Sequence, residues 1–387
     1  MMARLGDVCA KITDGSHNPP QGISCSEYLM LSSKNIYDDD ISFDDPRYLS
    51  KENYETENKR TQISAGDILL TIVGTVGRAA VVSKTEKKIC LQRSVAVIKP
   101  KQELIDSRFL MYQLQSMRTH LEQEARGVAQ KGIYLRQVEN LQIKVPSRGE
   151  QLQVVSNLDQ ISELISLRKQ QLAKLDELVK SRFIELFGDP LLDDGRYPKV
   201  PLGTLAEVGS SKRIFEKEYV SEGVPFYRTK EIVELSKGNR ITTELFITRD
   251  RYDEIRDEYG VPQKGDLLIS AVGTIGVIWI VDGKNDFYFK DGNLLRVAAT
   301  EKFAPTYIKH LLEALIGAYK QEMSSGTAYA ALTISALKEM LVYVVPITKQ
   351  EQFAAFVEQT DKSKLAIQES LAELETLKKA LMQKYFG

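Results

Sequence analysis

Between residues 147 and 188 the apolar positions recur at alternating spacings of three and four: Val154, Leu158, Ile161, Ile165, Arg168, Leu172, Leu175, Val179, Arg182 and Leu186. Only the two arginines interrupt the series, and the period is that of a coiled-coil seam rather than of an ordinary surface helix. Ser147-Arg148-Gly149-Glu150 forms a capping box directly after Pro146, and Gly188 followed by Pro190 marks the end. At 1.5 Å per residue such a helix is roughly 60 Å long, which calls for a partner helix. The end of the chain supplies one. Thr348-Lys349-Gln350-Glu351 reads as a second capping box, and Val357, Ile367, Leu371, Leu374, Leu381 and Tyr385 continue a seam that Lys364 and Lys378 interrupt. Leu186-Phe187-Gly188 is echoed by Tyr385-Phe386-Gly387 at a separation of 199, whereas the caps lie 201 apart, so the second copy is expected to be about two residues shorter.

The repeat extends to the strands. Gly66-Asp67-Ile68-Leu69-Leu70-Thr71-Ile72-Val73-Gly74-Thr75-Val76-Gly77 returns as Gly265-Asp266-Leu267-Leu268-Ile269-Ser270-Ala271-Val272-Gly273-Thr274-Ile275-Gly276, again 199 residues on. Each copy reads as a buried strand, a Gly-Thr-x-Gly turn and a second strand at 79–82 or 277–281. Gly74, Thr75 and Gly77, with Gly273, Thr274 and Gly276, read as structural turn residues. The turn is not a phosphate loop, because no Gly-Lys-Ser/Thr follows. Leu31-Ser32-Ser33-Lys34-Asn35-Ile36 matches Tyr227-Arg228-Thr229-Lys230-Glu231-Ile232, and helical segments at 107–124 and 305–322 and apolar strands at 141–146 and 341–346 are paired likewise. Residues 37–62 and 233–262 read as unlike insertions, with Asp38–Asp45 a solvated acidic loop. The fold class is therefore α+β, with domains at 1–146 and 189–347 and long helices at 147–188 and 348–387.

Composition narrows the function. The 387 residues carry 52 Lys and Arg against 53 Asp and Glu, a net charge of −1. A nucleic-acid ligand then requires focused basic groups or a contribution from partners. Cys9, Cys25 and Cys90 lack metal spacing and read as free thiols in a reducing compartment. No run is apolar enough for a signal peptide or a membrane span, so a soluble, cytoplasmic protein is expected.

Catalytic constellations are missing. His17, His120 and His310 are scattered. Asn18-Pro19-Pro20-Gln21 lacks the aromatic that an adenine methyltransferase stacks on its flipped base, and Glu86-Lys87-Lys88 reads as a surface turn. The better candidates are groups suited to DNA: Lys34, Arg78, Gln92, Arg93, Gln130 and Lys131 in the first half, and Arg228, Lys230, Lys290, Asn293, Arg296 and Tyr329 in the second. Arg, Asn and Gln can pair with base edges, and Lys suits phosphates.

These features together resemble the specificity subunit of type I restriction–modification enzymes. The residues that carry the likeness are Ile12-Thr13-Asp14-Gly15-Ser16-His17-Asn18-Pro19-Pro20, the two Gly-Asp-Ile/Leu-Leu…Gly-Thr-Val/Ile-Gly turns, Leu91-Gln92-Arg93-Ser94, the pairs Glu150-Gln151 and Glu351-Gln352, and Ser181-Arg182-Phe183-Ile184-Glu185-Leu186-Phe187-Gly188-Asp189. Asp291-Gly292 replaces the Gln-Arg pattern in the second half. The resemblance implies two target recognition domains joined by two long antiparallel coiled-coil helices with pseudo-twofold symmetry. It implies that each domain reads one half of a bipartite double-stranded DNA target, while the helices set the spacer and dock two methyltransferase subunits. It further implies no catalysis and no cofactor in this chain. S-adenosylmethionine, ATP and Mg would belong to partner subunits, with restriction subunits joining through the methyltransferase subunits and no role for a membrane. A duplicated coiled-coil scaffold that does not bind DNA is the alternative.

Overall fold

The structure, a computed structural model, describes residues 1–85, 87–125, 132–192, 194–324 and 331–387. The chain separates into two compact units, Met1–Gln170 with Gln368–Gly387, and Gln171–Ile367.

In the first unit an antiparallel sheet runs in the order Ala79–Val81, Ile68–Thr71, Val95–Pro100, Cys9–Asp14. A mixed sheet places Tyr28–Leu31 between antiparallel Arg47–Leu49 and parallel Lys88–Leu91. Met2–Arg4 pairs separately with Gln142–Lys144. The second unit repeats this strand for strand. Its antiparallel sheet is Ile278–Ile280, Leu267–Ser270, Leu294–Val297, Val208–Gly209. Val224–Tyr227 lies between Phe246–Ile247 and Tyr288–Phe289, and Lys199–Pro201 pairs with Leu341–Tyr343.

The Gly-Asp strands lack polar alternation because both of their faces are covered. Ile68 and Leu70 pack with Phe109 and Leu110, whereas Leu69, pointing the other way, packs with Leu29, Leu31 and Ile36. Leu267 and Ile269 likewise join Tyr307 and Leu311, and Leu268 joins Tyr227 and Phe289. The acid at the start of each strand is buried and paired. Asp67 accepts from Lys99 Nζ at 2.5 Å, and Asp266 accepts from Arg296 Nε at 2.6 Å.

The central helix, Arg148–Phe187, and the terminal helix, Ile347–Phe386, each contain 40 residues, so 199 separates both their starts and their ends. The second copy is therefore not shortened, contrary to the expectation from the caps. Ser147 does form the first capping box, its N–H and hydroxyl donating to Glu150 at 2.9 and 2.6 Å. Thr348 lies inside the terminal helix rather than capping it. Gln350 instead does the work of Gln151: both are buried, and the Gln151 amide oxygen accepts Asp106 N–H as the Gln350 amide oxygen accepts Ala304 N–H, each at 2.8 Å.

The helices run antiparallel within each unit. In the first, Asn157 Nδ2 donates to the Tyr385 hydroxyl at 2.8 Å and Lys169 meets Glu375 at 3.2 Å. In the second, Lys364 meets Asp176 at 2.7 Å and Phe183 packs edge-on against Phe353 with centroids 5.3 Å apart. All ten seam positions of the central helix are buried or half-buried.

Two further expectations are corrected. The segments 37–62 and 233–262 are not wholly unlike, since each contains an equivalent helix, Lys51–Thr61 or Arg249–Tyr259, capped by Ser50 or Thr248. Nor is the acidic run simply solvated. Asp38 is bound by Arg118 at 2.6 Å, and Asp39 accepts from Gln115, Ser162 and Lys378. The segment 107–124 divides at Met117 into Ser107–Ser116 and Arg118–Glu124, while its counterpart is one helix, Pro305–Ser324.

Candidate nucleic-acid interface

The Gly-Thr-x-Gly turns are built from inside. Thr71 Oγ1 donates to the Thr75 carbonyl and accepts Arg78 N–H at 2.9 Å. Ser270 Oγ donates to the Thr274 carbonyl and accepts Val277 N–H at 2.9 Å. Gly74, Gly77, Gly273 and Gly276 all have positive φ, which a side chain would disfavour. A Cβ at Gly276 would also lie 2.7 Å from Ile316 Cγ2. The turn thus aims its exposed tip, Gly74-Thr75 or Gly273-Thr274, and sets the residue that follows it.

In the first unit four segments meet around that tip. Gly15 passes so close to the 88–91 strand that a Cβ would sit 2.1 Å from the Leu91 carbonyl oxygen. Ser16 N–H donates to Leu91 O at 2.7 Å and Arg93 N–H to Ser16 O at 2.8 Å. Gln92 N–H reaches Leu31 O at 2.9 Å, Ser33 N–H reaches Ser94 Oγ at 3.1 Å, and Ile72 N–H reaches Ser94 O at 2.9 Å. Lys34, Arg78, Gln92 and Arg93 therefore share one rim. Arg93 is exposed, Lys34 pairs with Asp45 at 2.5 Å, and the Arg78 guanidinium lies 5.2 Å from the centre of the Tyr37 ring.

The second unit builds the same rim with other side chains. Ala271 N–H donates to Asn293 O at 2.8 Å, Lys290 N–H to Tyr227 O at 2.9 Å, and Gly292 N–H to Ser210 Oγ at 3.2 Å. Arg228 N–H donates to Glu231 at 2.9 Å where Ser32 N–H donates to Asn35 at 3.1 Å. Lys230, Lys290 and Asn293 thus occupy the rim. Arg228 stands there too, its guanidinium held by the buried Glu231 at 2.9 Å. Burial pushes the Glu231 carboxyl up, but the bonds from Arg228 outweigh this and hold it below the ordinary glutamate range, while raising Arg228.

Arg296 departs from the grouping made on sequence. It sits opposite Leu268 within the sheet and neutralises Asp266, so its charge is committed to the scaffold. Gln130, Lys131 and Tyr329 lie outside the described residues, as does Glu86. The structure also adds polar groups that spacing did not reveal. His17 Nε2 is 2.8 Å from Asp14 Oδ2, and Arg213 Nε donates to Asp291 at 2.7 Å. The Asp291-Gly292 replacement could have pointed to the latter, since a new acid on a basic rim calls for a cation. Among the described residues no cluster could hold a metal ion, and no helix is long and apolar enough to cross a membrane.

The duplicated architecture has counterparts in known proteins. The family model described as "Type I restriction modification DNA specificity domain" matches residues 2–177 and again 196–377. The chain belongs to this family. It is 26% identical over 292 residues, 73% of this chain and 71% of the other, to a putative type I restriction enzyme specificity subunit, S.HindORF215P, of Haemophilus influenzae. It is 32% identical over 158 residues, 39% of this chain and 33% of the other, to the EcoBI specificity subunit of Escherichia coli. In fold it is similar to the S subunit of a type I restriction–modification system from M. genitalium, with a TM-score of 0.57 and 16% identity, covering 100% of this chain and 96% of that one. A chain from a structure concerning complex assembly and conformational transition of the type I R-M system gives a TM-score of 0.57 at 19% identity, covering 100% and 97%. As a type I specificity subunit the chain is a DNA-recognition protein, and the scaffold without a DNA role is not favoured.

Proposed function

We propose that each unit of this specificity subunit reads one half of a bipartite double-stranded DNA target, and that the chain itself performs no chemistry. The observation that carries the reading is the rim built twice on one backbone plan, with Lys34, Arg78, Gln92 and Arg93 in one copy and Arg228, Lys230, Lys290 and Asn293 in the other. Matched scaffolds with unlike polar side chains are what two different half-sites require, because base edges differ only in their donors, acceptors and methyl groups.

The long helices are assigned two tasks: setting the length of the unread spacer and docking two methyltransferase subunits. What supports docking is that these helices leave several large apolar side chains exposed, Leu164, Leu167 and Leu377 in the first unit and Leu178 and Leu365 in the second. The partners bring S-adenosylmethionine, and restriction subunits attached through them bring ATP and Mg. A net charge of −1 fits a subunit that closes on DNA only with partners.

The test is methylation mapping with the assembled complex, wild type against a chimera whose residues 1–146 come from a relative. One half of the methylated sequence should change while the other stays. A change in both halves, or in neither, rejects the modular reading. Methyl transfer by the purified chain alone rejects the non-catalytic one.

A further inference from the structure

We propose that Asp39 is a positioning residue for Arg78, so that the paired helices control base discrimination by the first unit through the acidic loop. The inference rests on the half-site reading above.

Asp39 holds a backbone φ of 65°, a left-handed conformation uncommon outside glycine but tolerated by Asp and Asn. Its side chain is 19% exposed and takes donors from three elements. Lys378 Nζ of the terminal helix is 2.5 Å from Oδ2, Ser162 Oγ of the central helix is 3.1 Å from the same oxygen, and Gln115 Nε2 is 3.0 Å from Oδ1. Lys378 is itself only 21% exposed, so little solvent screens the pair.

The loop passes this anchorage to the rim. Asp39 N–H donates to the Ala79 carbonyl at 3.3 Å, and Ala79 N–H donates to Asp38 at 3.4 Å. Both backbone groups of the residue beside Arg78 are thereby tied to the loop. Tyr37 of the same loop lies against the Arg78 guanidinium, and Arg78 Nη1 reaches the Ile36 carbonyl at 3.5 Å. The orientation of Arg78 is thus set by the loop, and the loop is set by the helices. Val277 replaces Arg78 in the second unit, its N–H donating the same turn bond to Ser270 Oγ without a guanidinium to aim. The device belongs to one half-site only.

The experiment uses the assembled modification complex and a library randomised at both half-sites, read out by methylation. Asp39→Asn removes the charge yet keeps a residue at home in the left-handed region. Lys378→Met removes the other partner, and Lys378→Arg retains the charge. Arg78→Ala marks the base positions that Arg78 reads. Asp39→Asn and Lys378→Met are expected to lose about tenfold discrimination at those same positions, on the scale of one lost base contact. Lys378→Arg should restore most of it, the second half-site should not change, and Asp39→Asn should add nothing to Arg78→Ala. A merely structural role would lower the melting temperature and total methylation without relaxing selected positions. If Arg78→Ala relaxes a half-site and Asp39→Asn does not, the inference is overturned. If Arg78→Ala has no effect, there is no contact to aim and the inference falls while the bipartite target stands. If the wild-type complex shows no bipartite target, the half-site reading falls as well.

Discussion

Thr71 and Ser270 occupy the same place in the two units, each donating its hydroxyl to a threonine carbonyl four residues on and accepting the N–H seven residues on. Both are fully buried. Thr71→Val and Ser270→Ala leave those partners without a replacement, which costs about 1–3 kcal/mol each. Ser270→Thr, which keeps the hydroxyl, should cost much less. Urea denaturation followed by far-ultraviolet circular dichroism checks both statements; a neutral Thr71→Val would mean that the turn is held by its glycines and the backbone bonds of Thr71 to Gly77 and Arg78 without the hydroxyl.

The glycines of the second turn should separate by cost. Gly273 has open space around it and a φ of 73°, so Gly273→Ala carries only the left-handed penalty, about 1–2 kcal/mol. Gly276 has a φ of 87° and Ile316 in the way as well. Gly276→Ala should therefore be the more damaging, by the overpacking cost of about 1–3 kcal/mol. Melting temperatures of the two variants give the order, and equal values would refute the steric argument.

Glu231 makes stability depend on acid. Its carboxyl is buried, and the Arg228 bonds hold its folded-state pKa below the unfolded one. A depressed carboxylate contributes stability that is fully present above its unfolded pKa, about 4.3, and is lost as pH falls through the folded value. Glu231→Gln should then be less stable than wild type at pH 7 by about 1–3 kcal/mol, with the gap closing below about pH 4. Denaturation curves at pH 7, 5 and 3.5 test this; a gap that stays constant with pH would assign the loss to packing.

The three thiols should react unequally. Cys9 and Cys90 are buried, and burial pushes each thiol up to about 12, so neither supplies thiolate at neutral pH. Cys25 is exposed. Iodoacetamide on the native protein should label Cys25 alone by peptide mass mapping, with the others reacting only in denaturant.

The architecture was legible in sequence because it is written twice. A separation of 199 fixed the equivalence of Asp67 with Asp266 and of Thr71 with Ser270. The seam from Val154 to Leu186 identified the central helix because a coiled coil needs only one period. The helices Lys51–Thr61 and Arg249–Tyr259 leave little trace in the sequence because they bury few side chains, Tyr252 and Ile255 in the second, within charged sequence. The terminal cap was misplaced because Thr348 and Glu351 fit a capping box by spacing, while burial of Gln350 decides the real start. The rim was legible in part. Lys34, Arg78, Gln92 and Arg93 come together because they follow matched turns and strands. Arg296, one strand position from the same motifs, turns inward to an acid, and no periodicity reports such a choice.

The two buried acids at the strand starts limit how these halves can be recombined. Asp67 draws its cation from Lys99, whereas Asp266 draws its own from Arg296, whose sheet position in the first half is held by Val97. Moving the strand 294–297 alone into the first half would set two cations against one carboxylate. The reverse transplant would leave the buried Asp266 carboxylate with its backbone N–H donors, Gln263 and Ala299, but without a cation to neutralise it. Grafts that are to yield new sequence preferences must therefore carry the acid, its strand and the neutralising cation as one cassette.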